Sequence, residues 1–317
     1  FYAAPYNSML GTADNLAYYG VAFNIYSYLL NICTAGFPFA IATLIAKYST
    51  RGDYQTSLLI KKLSASLMTC FGFGMMIIVI LFSSPLAALV MPDEGDSVKT
   101  MQMVLILISF ALFFVPLLSS IRGFYQGLKH MEIYALSQVL EQVARVAFLL
   151  SASAIAVYAL HTDQVWALYF GVISTSISAI LAIMHLKLYD KKQMRELKRL
   201  AKTQEVAGNN DRREILKELV FIAFPYLIVA ILGYSDTIVN TLFLSKGLEA
   251  HGNTDAEILL ISGSINYGVL KLMSIPMILA PGFSSAIIPH ITTALTNHDL
   301  KLVRKNIRDC VDIVLYI

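Results

Sequence analysis

Of 317 residues, 57% are hydrophobic and only 14% charged, with a mean hydropathy of +0.65 and a formal net charge of +3. A charged share that low falls outside the soluble range of about 25%, so the chain reads as an all-α polytopic membrane protein. Cys33, Cys70 and Cys310 lie far apart in or beside apolar stretches, an odd set without metal-type spacing, which leaves them as small core residues and not a disulfide framework.

In chain order, Phe1 to Leu10, with Pro5 and then Gly11, is the tail of a first span. No initiator Met or cleavable signal opens the sequence, and Ile317 closes it inside an apolar run, so a piece of a longer protein is expected. Ala17 to Tyr48 is the second span, broken around Gly36 and Pro38. The third is Leu63 to Met91, closed by Pro92, and the fourth roughly Met101 to Ser120. Ile133 to Leu160 and Val165 to Leu188 are the fifth and sixth. Each complete span reaches the length of about 20 helical residues that crosses a ~30 Å apolar core.

The sharpest change of composition is Lys187 to Lys217, rich in Lys and Arg and holding the turn-prone Gly208, Asn209 and Asn210. It reads as a cytoplasmic linker (187–217) between an N-terminal lobe (1–186) and the start of a C-terminal lobe (218–317). A solvated tether is its default, with binding of anionic lipid as the alternative. Leu219 to Leu244 is a seventh span, Leu259 to Ala294 an eighth, interrupted by Pro276, Pro281 and Pro289, and a ninth begins near Val303.

Loop charges give the orientation. Lys47, Arg51, Lys61 and Lys62 follow span two, Lys129 follows span four, and Lys301, Arg304, Lys305 and Arg308 follow span eight. The alternate connections are acidic, with Asp93, Glu94 and Asp96, then Asp163, then Glu249, Asp255 and Glu257. By the positive-inside rule the even-numbered spans end in the cytoplasm, where the N-terminus is also expected. The chain also repeats itself. Gly36, Phe37, Ala40, Ile41 and Asp53 recur as Gly282, Phe283, Ala286, Ile287 and Asp299, each pair 246 positions apart. Both copies close even-numbered spans, so the halves share an orientation and should be related by an axis along the membrane normal.

In span five, Gln138, Glu141, Gln142 and Arg145 fall at i, i+3, i+4 and i+7 and make one polar stripe on a helix whose other faces are apolar. A charge near the bilayer centre costs roughly 2.5 to 3.5 kcal/mol on insertion scales, so such a stripe faces the bundle interior or a watery cavity. Two readings stay open: Glu141 and Arg145 pair only with each other as a staple, or the stripe lines a site. Arg122, near the end of span four, either snorkels to the interface or stands at the cavity mouth. Asp236 in span seven is a candidate cation or proton site, or a hydrogen-bond partner for a neighbouring helix. The prolines and glycines of spans two and eight are either bending points or static kinks.

Arg122-Gly-Phe-Tyr-Gln-Gly127, followed by Ser137-Gln-Val-Leu-Glu-Gln-Val-Ala-Arg145, resembles the paired signature of the MurJ and stage V sporulation protein B-like lipid flippases. Gly36-Phe-Pro38, Asp236-Thr237 and the prolines of span eight are similar to it as well. The resemblance implies the multidrug/oligosaccharidyl-lipid/polysaccharide exporter fold: two pseudo-symmetric six-helix lobes around a central cavity, the second truncated here. It implies a bacterial cell membrane protein that flips an undecaprenyl-pyrophosphate-linked cell-wall precursor, lipid II, to the outer leaflet by alternating access. Lys271 falls where the family has a cavity arginine, whereas Asn31 and its neighbours stand where another branch has arginines in span two. The implied substrate set is Arg145, Lys271, Glu141, Gln138, Gln142 and Arg122, with Arg145 and Lys271 against the pyrophosphate.

The partners implied are the lipid-linked precursor, membrane lipids and the cell-wall synthesis machinery, with no nucleic acid and no cofactor. A flippase for another lipid-linked polysaccharide is one alternative. A cation-coupled drug exporter of the same fold is another, and would favour acids and aromatics in its cavity. A membrane glycosyltransferase would need acidic or metal-binding residues clustered in a loop, and a nucleotide-driven pump a Walker loop; the sequence offers neither.

Overall fold

The computed structural model describes residues 3–11, 13–34, 36–90, 96–209, 211–233 and 279–316, with scattered residues between 235 and 261. Asp236 and Lys271 lie outside the described residues. The helices are α1 (Ala3–Leu10), α2 (Ala13–Thr34), α3 (Phe37–Thr50), α4 (Tyr54–Leu81), α5 (Ser83–Val90), α6 (Asp96–Gly127), α7 (Met131–Ala154), α8 (Val165–Thr203), α9 (Arg212–Gly233), α10 (Leu279–Thr296) and α11 (Leu300–Tyr316). One π-helical turn, Ile155–Ala159, extends α7. No strand occurs among the described residues, and six helical stretches are long and apolar enough to cross a membrane.

The expected second span runs as α2 and α3 with its break at Gly36, where Pro38 opens the new helix in a first-turn position that needs no N–H donor. Span three differs. Its helix begins at Tyr54, because the Asp53 side chain caps it, and ends at Leu81, after which α5 is a separate short helix. The fourth span runs on to Gly127, and the sixth continues unbroken to Thr203, through the first half of the basic segment. The α6 extension is buried throughout residues 122–127, and the polar α8 extension keeps one buried face, with Leu197 and Ala201.

Helix α6 is the hub, packing against α2, α3, α4, α5, α7 and α8. Its first half, with Met101, Leu105 and Ile108, joins one core cluster with Tyr6, Leu10 and Leu168. Its second half, with Leu118, Phe124 and Tyr125, joins another with Ile41, Ile45, Ile60 and Leu186. The glycines of the Arg122–Gly127 motif explain themselves here. A Cβ on Gly123 would lie 2.8 Å from the Pro38 carbonyl oxygen, and one on Gly127 would lie 2.6 Å from Ile45 Cβ, so both glycines let α6 touch α3 backbone to backbone. Pro116, inside α6, has no N–H for the Leu112 carbonyl. That oxygen faces Gly72 of α4, where a Cβ would come within 2.6 Å.

Three helices end alike. At Gly52, Lys129 and His298 the backbone turns left-handed, with φ of 76°, 64° and 58°. Each of these N–H groups donates three residues back, to Ser49 (3.1 Å), Gln126 (2.9 Å) and Leu295 (3.1 Å). The following N–H donates five back, from Asp53 to Tyr48 (3.0 Å), His130 to Tyr125 (3.0 Å) and Asp299 to Ala294 (2.9 Å). This is the Schellman arrangement, and in each case the next residue opens the following helix. The first and third turns are the two copies of the 246-residue repeat. The match extends to Tyr54 N–H donating to Gly52 O (3.2 Å) and Leu300 N–H to His298 O (3.1 Å). Thr50 and Thr293 hydroxyls meet at 3.4 Å, which brings the two copies side by side. The repeat thus marks a second lobe pseudo-symmetric with the first.

Candidate functional site: a charge cluster between α6 and α7

Helix α7 presents its polar stripe along the border of its buried face. Glu141 is buried, and each carboxylate oxygen takes one guanidinium: Oε1 accepts from Arg145 Nη2 at 2.8 Å, and Oε2 pairs with Arg122 Nη1 at 2.8 Å. Arg122 is also buried, and its Nε donates to Ser137 Oγ at 2.9 Å. Two cations therefore share one anion, and one formal positive charge is left over. Arg122 Nη2 and Arg145 Nε are buried without a hydrogen-bond partner among the described residues.

This geometry corrects several expectations. The Glu141–Arg145 pair does not join two helices, because it closes within one turn of α7; the cross-helix bond is Arg122–Glu141. Arg122 is held inside the protein by Glu141 and Ser137. Gln138 and Gln142 are exposed and do not hold Arg145; Gln138 Nε2 donates instead to Tyr134 OH at 3.2 Å. The stripe's two edges part because Glu141 and Arg145 lie on the side nearer α6, and the glutamines on the side away from it. Ser137 was not singled out by sequence reasoning. Its signal was its place one helical turn before Glu141, on the same face.

A second polar assembly lies at the end that carries the three turns. Asp53, only 4% exposed, accepts from Thr56 N–H (3.0 Å), the Thr56 hydroxyl, Gln204 Nε2 (3.2 Å) and Asn209 N–H (3.4 Å). Gln55 adds two more bonds, its N–H to Gln204 Oε1 and its Nε2 to Ala201 O, both 2.9 Å. The segment after α8 is therefore strapped to the α3–α4 turn, and is not the loose tether its composition suggests. Beside it, Lys47 and Tyr48 of α3 reach Glu218 of α9, Lys47 as an ion pair and Tyr48 through its hydroxyl at 3.4 Å.

The sequence profile of a family described as polysaccharide biosynthesis protein matches residues 2–295. The chain belongs to that family. It is 32% identical over its whole length to Lipid II flippase MurJ of Bacillus subtilis (strain 168), of which it covers 58%. It is 22% identical over 88% of its length to Stage V sporulation protein B of the same organism, covering 52% of that protein. The chain thus spans about half the length of these curated relatives. Among solved structures, a transporter of the multidrug/oligosaccharidyl-lipid/polysaccharide exporter superfamily from Pyrococcus furiosus superposes with a TM-score of 0.67, over 97% of this chain and 65% of that one, at 14% identity. The family member described here therefore has the exporter fold that its arginine, glycine and glutamine motifs implied.

Proposed function

We propose that the full protein is a flippase carrying an undecaprenyl-pyrophosphate-linked cell-wall precursor, lipid II, from the inner to the outer leaflet of a bacterial cell membrane by alternating access. The N-terminus and residues 187–217 are cytoplasmic in this reading, residues 1–186 and 218–317 belong to the two lobes, and the cell-wall synthesis machinery receives the product. The observation that supports it is the cluster of Arg122, Glu141 and Arg145: a surplus positive charge between apolar spans, with buried N–H groups still unpaired. A phosphate is the kind of acceptor that such donors suit. Arg145 is the substrate contact, because its side chain is 20% exposed against 11% for Arg122. Lys271, and Asp236 as a cation or proton site, complete the proposal from the sequence.

The test is rescue of a strain depleted of its lipid II flippase by the full-length gene, scored by lipid II accessibility at the outer leaflet. The wild type should rescue. Arg145→Lys should be impaired, since it keeps the charge and loses the bidentate fork. The triple replacement Arg122→Met, Glu141→Leu and Arg145→Met strands no charge and should insert and fold, because apolar replacement of a whole buried ion network is often neutral, and it should not flip. Normal flipping by that triple variant would remove Arg145 from the site. No rescue by a normally inserted wild type would point to another lipid-linked polysaccharide.

A further inference from the structure

The cluster is asymmetric in a way that gives Glu141 a role of its own. Arg122 is pinned twice, by Glu141 Oε2 and by Ser137 Oγ, and is 9% exposed. Arg145 is held once, by Glu141 Oε1 through Nη2 alone, while its Nε is buried and unpartnered. The Nε and the Nη on its side of a guanidinium form one two-pronged donor edge, which a phosphate or carboxylate grips with two oxygens. Glu141 uses only one prong of that edge. Resting on the substrate-phosphate reading above, we propose that Glu141 is a resident anion that competes with the substrate phosphate for Arg145, and so sets how readily the substrate is released.

The exchange leaves no charge stranded. Without substrate, Glu141 bridges both guanidiniums. With substrate, a phosphate takes both prongs of Arg145, and Glu141 keeps Arg122. In both states each buried ion faces an opposite charge, which matters because an uncompensated buried charge is strongly unfavourable. Arg145 can make the switch by side-chain rotation, since it and Glu141 stand one turn apart on the same helix. Of the two substrate bonds gained at Arg145, one is offset by the Glu141 bond given up, so the site holds its ligand without trapping it. An alternating-access carrier needs that balance on both sides of the membrane.

The experiment uses purified full-length protein and undecaprenyl pyrophosphate as the probe, with undecaprenol as the uncharged control. Glu141→Gln alone removes the shared anion from two arginines and risks misfolding. The deciding variant is therefore Arg122→Gln with Glu141→Gln, which keeps the surplus of one positive charge and removes the competitor together with the guanidinium it pairs with. Its thermal midpoint in detergent is checked first, and Arg122→Met with Glu141→Leu replaces it should it not fold. The double variant should bind the pyrophosphate lipid about tenfold more tightly, the scale of one charge-assisted bond, mainly through slower dissociation, and should flip more slowly in vesicles. Arg145→Gln should lose at least that much affinity. Unchanged or weaker binding by the double variant, with Arg145→Gln still defective, would make Glu141 a scaffold and overturn this inference alone. Wild-type binding by Arg145→Gln would overturn the substrate reading, and this inference with it.

Discussion

Asp53 and Asp299 follow the same Schellman turn, accept the same capping bond from the N–H three residues on (3.0 Å each), and open the same kind of helix. They differ in surroundings: Asp53 is buried under the segment that follows α8, and Asp299 is exposed with only its cap. The turn is thus written in local sequence, a left-handed residue followed by a capping aspartate. The burial is supplied by a segment about 150 residues away, which no local pattern announces. One aspartate caps a helix; the other also fastens the α3–α4 turn to the segment after α8.

The largest expected effect separates these two roles. Asp53→Ala should cost about 2 to 3 kcal/mol, because the cap is lost together with the bonds that Asp53 accepts from the Thr56 hydroxyl and Gln204 Nε2. Asp299→Ala should cost about 1 kcal/mol, the ordinary value of a cap. Thermal unfolding of the full-length protein in detergent measures both, and equal losses would erase the distinction. Next in size is the left-handed residue itself. Nothing lies within 4 Å of a Cβ built on Gly52, so Gly52→Ala should lose about 1 kcal/mol from backbone conformation alone. Lys129→Gly and His298→Gly relieve that same conformation and should be neutral or gain up to about 1 kcal/mol. A loss in either would show that its side chain contributes more than the turn does. Smallest is Gln204→Ala, expected to cost under about 1 kcal/mol. Limited proteolysis should nonetheless cut residues 204–211 faster in this variant and in Asp53→Ala, and no faster in Asp299→Ala.

Much of this could be read from the chain. Breaks at Gly36 and Pro38, apolar runs of membrane length, and the 246-residue spacing all rest on local chemistry and survive in the structure. The Arg122–Gly127 motif was visible, but its division of labour was not: its glycines act through a Cβ they lack, against an α3 more than 80 residues away. The polar stripe of α7 was legible as a stripe. Which edge turns inward depends on where α6 lies, and helical periodicity carries no term for a neighbour. Likewise the high charge of residues 187–203 hid a continuous helix, because Leu197 and Ala201 keep one buried stripe that composition averages away.

That helix has a mechanical consequence. At 1.5 Å per residue, the 39 residues of α8 make a rod of about 58 Å, of which the apolar core accounts for ~30 Å. The remainder runs on past that core with Leu197 and Ala201 still buried, and its tip is bonded to the α3–α4 turn through Gln55 and Asp53. A tilt of 10° about the bilayer centre would sweep such a tip, about 43 Å away, by roughly 7.5 Å, more than one helical turn's rise of 5.4 Å. Any tilt of α8 would therefore reach α9 as a displacement, with α8 as the lever arm and the short strap after Thr203 as its hinge.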